Sequence, residues 1–196
     1  GLLAAAGGGG GGSSGDNNAG QIAALKTIAD FARENTVSMP TPAGSFQYKA
    51  DITVPTVVTY TDAKITGVTD SNIGAINDAL ATESVTDISV NTVEKLQMVV
   101  NAYVQIISLA NGAVNTDILP PTFTEYQLIG VTGLDASTTQ AAKLLSSVID
   151  LKRYADIDTV NEIQALANIA KRVIAAAAGN ATLTTADLEA LGLNLT

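Results

Sequence analysis

A ten-residue phrase occurs three times in this chain, as TYTDAKITGV from Thr59, TFTEYQLIGV from Thr122 and TTADLEALGL from Thr184. Each copy has Thr first, an acid fourth, Gly ninth and an aliphatic residue tenth. The starts at 59, 122 and 184 are 63 and 62 residues apart, and a regular period of that length marks a repeated structural unit. Thr followed three residues later by Asp or Glu forms a capping box, in which hydroxyl and carboxylate satisfy N–H groups that a helix start leaves without partners. Gly five residues after the acid suits the left-handed position that ends a helix. Each copy therefore predicts a complete short helix of about two turns. Capping accounts for both residue types and their spacing, so the Thr and acid are read as structural.

The stretches between the copies carry helical apolar spacing. Ile22, Leu25, Ala29 and Ala32, widened by Ile28 and Phe31, predict a helix over 21–35. Ile73, Ile76 and Leu80 predict one over 71–81, followed by a connector at 87–91. Asn91 and Glu94 are read as the cap of a long helix reaching residue 109, with Val93, Leu96, Val100, Tyr103, Ile107 and Ala110 on one face. The order then repeats. Leu144, Val148 and Leu151 mark a helix over 138–154, and Asp156 to Asp158 connect it to a long helix carrying Val160, Ile163, Ala167, Ala170, Ile174 and Ala177.

One stretch breaks the pattern. After Pro40, Pro42 and Gly44, the residues Phe46, Tyr48, Ala50, Ile52 and Val54 alternate with polar ones, the period of a half-buried strand. A lone strand has unpaired edges, so 45–54 either lies as an extended loop on the helices or pairs within the chain or with a neighbouring subunit.

The expected fold class is thus all-α, with repeated three-helix units of about 62–67 residues forming a bundle or short solenoid, plus one extended or β segment near 45–54. The expected organisation is a flexible Gly/Ser-rich tether at 1–19, a helix plus extended insertion at 20–58, a first unit at 59–121, a second at 122–183, and the start of a third, truncated unit at 184–196. The opening helix parallels the long third helices, with Ile22, Leu25 and Ala29 matching Ile163, Leu166 and Ala170. A chain beginning with the last helix of one unit and ending with the first of another would allow end-to-end stacking.

Composition narrows the function classes. Hydrophobic residues make up 46% and mean hydropathy is +0.27, which excludes a highly charged disordered polymer. Ten basic against nineteen acidic residues give a net charge of −9, so phosphate contacts and therefore nucleic acid are not expected, and any membrane association is indirect. The absence of Cys removes disulfides and thiol chemistry, and the absence of His removes the commonest general base and transition-metal ligand. No apolar run approaches the length of about 18 residues that a membrane helix needs. The poly-Gly run 7–12 neither follows a strand nor precedes Lys, as a phosphate loop requires.

Three further clusters are read as bland. Asp156, Asp158, Asn161 and Glu162 gather oxygen donors, but Val160 breaks the calcium-loop spacing, leaving connector and cap as the expected use. Asp30 and Glu34 lie one turn apart on a solvated face. No Ser has Lys three residues on, as a Ser/Lys catalytic pair requires. No catalytic, cofactor-binding or metal-binding residue is expected, and no enzyme.

The run ITGVTDSN from Ile65 with Ile76 and Asn77, followed by DTVNEIQAL from Asp158, resembles the helical repeats of very large bacterial surface proteins, including biofilm-associated and calcium-dependent adhesins. The similarity covers roughly 55–196. At the N-terminus, Leu3, Ala4 and Ala5 before a Gly/Ser tether resemble a lipobox with Ala6 in place of the lipid-bearing Cys, and Ala4 to Gly7 resemble the dialanine site of retained adhesins. The resemblance implies an exported, extracellular or cell-surface protein of stacked modules. The expectation is a non-catalytic, self-associating structural module of a filament, surface layer or adhesin stalk. Its copies would form a homo-oligomer or polymer through apolar helix faces, the 45–54 segment and the N-terminal tether. The alternative is a binding module for a protein or glycan ligand, though few aromatics are present to stack on sugars.

Overall fold

The computed structural model describes residues 14–34 and 48–193, with side chains from residue 18 onward. Within these the chain is all-α. Nine helices are formed by the described residues: α1 (Ser14–Glu34), α2 (Val57–Asp62), α3 (Ile73–Leu80), α4 (Asp87–Val90), α5 (Val93–Leu109), α6 (Phe123–Leu128), α7 (Thr139–Ile149), α8 (Val160–Ala177) and α9 (Thr185–Ala190). Single 3-10 turns occupy Ala136–Thr138 and Tyr154–Asp156.

The long helices organise the packing. α2 and α4 lie on α1, α5 is contacted by α3, α4, α6 and α7, and α8 rests on α7 and reaches α3. One continuous core runs through them, with Ile28, Phe31, Tyr60, Leu80, Leu96, Tyr103, Tyr126, Leu145 and Ile163 fully buried. Ala at 75, 79, 102, 141, 142, 167 and 170 is buried between helices, and these methyl-sized side chains let helix backbones approach closely.

Several expectations shift in register. The first short helix is capped not by Thr59 but by Thr56, whose side chain accepts from the N–H of Thr59. Thr59 sits at the third helical position, where its own hydroxyl accepts from the Thr56 N–H at 3.0 Å. Copies two and three do carry their expected boxes, Thr122 with Glu125 and Thr184 with Asp187. Matching starts are thus 56, 122 and 184, or 66 and 62 residues apart. The physical reason is the tyrosine: with Thr56 as cap, Tyr60 is buried at the place Tyr126 holds in α6, whereas the expected register would have moved it to the solvated side. The left-handed residue after α2 is then Lys64, at φ 65°, matching Gly130 at φ 102° and Gly192 at φ 89°.

Other boundaries differ for local reasons. α1 begins at Ser14, so 14–19 belong to a helix, while 1–13 lie outside the described residues. Its buried stripe is Ala24, Ile28, Phe31 and Ala32, and Ile22 is 60% exposed. Thr92, not Asn91, caps α5, accepting from the N–H of Lys95. The connector at 87–91 contains α4, whose start is boxed by Thr86 and Ser89. α7 ends at Ile149, and its buried ridge is Ala141, Ala142, Leu145, Val148 and Ile149, leaving Leu151 outside.

The expected β segment is corrected where it can be seen. Residues 45–47 lie outside the described residues, and 48–54 contain no strand. A turn at Ala50 and Asp51, the latter at φ 68°, interrupts the extended run, and only Tyr48 and Ile52 of the alternating set pack on the core.

Gly130 and Gly192 hold matching conformations in different surroundings. A Cβ on Gly130 would overlap the side chain of Thr82, while one on Gly192 would meet open space. Gly130→Ala is expected to cost about 2 to 3 kcal/mol, conformational strain plus overlap, and Gly192→Ala only about 1, the strain alone. Denaturant unfolding of the two variants checks the difference.

Candidate functional site

Three constellations stand out, two of them present once in each half of the chain and the third lying between the halves. The first is a buried tyrosine knot that occurs twice. The Tyr60 hydroxyl donates to Asn77 Oδ1 at 2.7 Å, and Asn77 Nδ2 donates to the carbonyl of Pro55 at 2.9 Å. In the second half Tyr126 and Ser146 hydroxyls lie 2.8 Å apart, and Ser146 donates to the carbonyl of Pro121 at 2.7 Å. A fully buried phenol needs a partner, and the short helix can bury its tyrosine only because α3 or α7 supplies one.

The second is a glutamine clasp, also present twice. Gln97 accepts from the N–H of Thr66 at 2.9 Å and donates to its carbonyl at 3.0 Å, and it also donates to Asn101 at 2.8 Å. Gln164 does the same with Thr132, at 2.7 and 3.1 Å, and with Asn168 at 3.1 Å. Each clasp mimics a backbone partner and fastens a short helix's exit to a long helix. The signal was in the sequence, as Thr-Gly at 66 and 132 and Gln followed four residues later by Asn at 97 and 164, but Thr66 falls inside the first copy of the recurring phrase and Thr132 just beyond the second, so the match was out of register.

The third is a carboxylate cluster between the halves. Asp78, 6% exposed on α3, accepts the N–H of Val160 at 2.6 Å, one of the donors that the start of α8 leaves free. Burial pushes its carboxyl up to about 6, against the pull of that N–H, and Asp158 and Glu162 add to the rise. Asp158 is likewise pushed up to about 6, by burial and then by Glu162. One of its carboxylate oxygens is buried without a hydrogen-bond partner. Glu162 is engaged in boxing Thr159, so the expected capping use of that residue is what the structure displays. Asp156 likewise caps the N–H of Arg153 at 2.9 Å. Asp30 pairs with Lys26 and Arg33 on an open face. Among the described residues no group of three or more His, Cys, Asp or Glu is arranged to hold a metal ion, and no helix is long and apolar enough to cross a membrane.

A groove of about 560 Å³ opens between the end of α5, the segment 110–121 and α7. Leu109, Ile118, Phe123 and Ala142 form its apolar walls, and Pro121 and Ser146 belong to the knot beneath it. Lys143, Ser147 and Asp150 also line it. Asp150 is occupied by Asn115, whose N–H reaches it at 3.0 Å. The Lys143 ammonium makes no hydrogen bond or ion pair among the described residues. Its size falls in the range of about 300 to 1,000 Å³ usual for ligand pockets. No sequence pattern announced it, because its walls come from four separate stretches. Comparison with family models, curated proteins and solved structures finds no match for this chain.

Proposed function

We propose that this chain is a non-catalytic structural module of a bacterial cell-surface or extracellular-matrix protein, and that its copies associate end to end. In this reading α2 to α5 and α6 to α8 are two copies of one helical unit, α9 opens a third, and stacking of units continues from chain to chain. The resemblance to adhesin repeats supports the exported setting, and the paired knots and clasps support the repeat.

The observation that carries the association is the unequal cover of two matching helices. In α5 the second half is buried, with Tyr103, Ile106, Leu109 and Ala110 at 3% exposure or less. At the matching places in α8, Ala170 is buried, but Val173 and Ala176 are half-buried, Ala177 is exposed and the adjacent Ile174 is 38% exposed. What covers α5 is the next unit, through α6 and α7. An equivalent unit from a second copy would cover α8, and burying apolar surface there supplies the driving force, at about 25 cal/mol per Å².

Sedimentation velocity over a wide concentration range, on the full chain and on one lacking residues 1–13, tests this reading. Growth of oligomers or filaments with concentration is expected, with electron microscopy showing their form. A single-chain species persisting at the highest concentration would overturn it.

A further inference from the structure

The groove beside α7 has a filled counterpart in the first half of the chain. The two knots fix the correspondence: Pro55 matches Pro121, Asn77 matches Ser146, and therefore Gly74 matches Lys143 and Asp78 matches Ser147. At the first of these places sits an aromatic side chain. The Tyr48 hydroxyl donates to the carbonyl of Gly74 at 3.5 Å, and its ring stands edge-on to Phe31 of α1, centroids 5.3 Å apart at 71°. Burial by this seat pushes the Tyr48 phenol well up, with the Asp78 carboxylate adding to the rise. Tyr48 arrives on the non-helical segment that runs from it to the Thr56 cap.

In the second half the seat is formed but not filled. The connecting segment there, 110–121, contains no aromatic residue. It is held away from the seat by Gln105, which donates to the carbonyl of Leu119 at 2.7 Å, and by Asn115 on Asp150. Ile118 reaches the core only in part, and Leu119 is 77% exposed. The space that Tyr48 takes up in the first half is left as the open groove.

We propose that this groove is a recognition site for a tyrosine-bearing extended peptide segment of a partner chain. The ring would lie against Leu109, Phe123 and Ala142 as Tyr48 lies against Phe31, with its hydroxyl toward that of Ser147, which in this half donates to the Lys143 carbonyl at 3.1 Å. Phe123 offers the aromatic edge. The Lys143 ammonium, which has no counterpart on Gly74, selects segments with an acid close to the tyrosine. The site is distinct from the α8 surface invoked for association, and its occupancy does not depend on copies stacking.

The test uses a fluorescent peptide of this chain's own sequence 48–55, which carries both Tyr48 and Asp51, added to the full chain at a dilution where its mass is that of one copy. Fluorescence anisotropy is expected to show saturable one-to-one binding. The Tyr48→Ala peptide is expected to bind at least about tenfold more weakly, the usual consequence of losing an anchoring aromatic. On the protein, Ser147→Trp fills the groove from an exposed position and should abolish binding while leaving the thermal midpoint unchanged. Lys143→Glu should weaken binding of the native peptide by about threefold to tenfold, and weaken an Asp51→Asn peptide much less. Equal binding of the tyrosine and alanine peptides, binding that survives Ser147→Trp in the folded protein, or no binding at millimolar peptide would each overturn the assignment.

Discussion

Asn77→Ala is expected to lower the unfolding free energy by about 3 kcal/mol, one of the largest effects available to a single polar side chain here. Asn77 is 3% exposed and serves two buried groups at once, accepting from Tyr60 and donating to the Pro55 carbonyl. Its removal strands a phenol and a carbonyl in a dry core, each at a cost of about 1 to 3 kcal/mol. For a chain of this size the thermal midpoint should fall by roughly 6 to 12 °C. Asn77→Ser is the informative companion, because Ser146 performs the matching task in the second half. Serine should recover part of the loss, limited by its shorter reach. Calorimetry of the two variants checks both numbers, and a loss below about 1 kcal/mol for alanine would mean that the knot does not hold α2 to α3.

The second large effect is a dependence on pH that runs opposite to acid denaturation. The carboxyls of Asp78 and Asp158 are held near 6 in the fold, above their ordinary value of 3.8. Between those values the folded state binds protons that the unfolded chain releases, so stability is greatest in mild acid and falls as pH rises through about 6. Asp187 works in the other direction. Arg172, and then the N–H of Thr184, hold it at about 2, so the stability it adds is lost only as pH falls below the ordinary carboxylate range toward 2. The optimum is therefore expected close to the ordinary carboxylate value, at about pH 4, where the two opposing effects meet.

Asp78→Asn isolates the cause. Asparagine keeps an acceptor for the Val160 N–H and removes the buried charge that Asp158 and Glu162 oppose. Tyr103, which donates to the Ile157 carbonyl at 3.1 Å, Tyr48 and Tyr154 surround the same cluster and remain neutral phenols throughout this range. At pH 7 the variant should be more stable than the parent by about 1 to 3 kcal/mol, with the slope between about pH 4 and 6 reduced to roughly half, the rest belonging to Asp158. Thermal unfolding at half-unit intervals of pH checks this, and an unchanged slope would assign the effect elsewhere.

What could be read from the sequence, and what could not, follows from the range of the interactions. α6 and α9 announce themselves because their Thr and acid lie three residues apart and act within one turn. α2 does not, because Thr59 takes the role that Glu125 and Asp187 fill elsewhere, and a second Thr/acid pair, Thr59 and Asp62, imitates the pattern three residues on. Lys64 in a left-handed conformation hid the true match to Gly130. The alternation marked non-helical chain over the described residues 48–54, yet a strand needs a partner that period alone cannot supply. The knots unite residues 17 to 25 apart using Asn in one half and Ser in the other. The Asp78 contact to Val160 spans 82 residues. The segment 110–121 lacks an aromatic to fill the groove, which only comparison of the two halves in three dimensions brings out.

The central claim is association through the uncovered end of α8, and the most direct measurement is light scattering of the parent chain beside Ile174→Glu across the same concentrations. Ile174 is partly exposed, so the charge should leave the helical circular dichroism and thermal midpoint of the single chain unchanged. The expected result is a mass that rises with concentration for the parent and stays at one chain for the variant. Equal masses for the two, whether both grow or neither does, would contradict the claim.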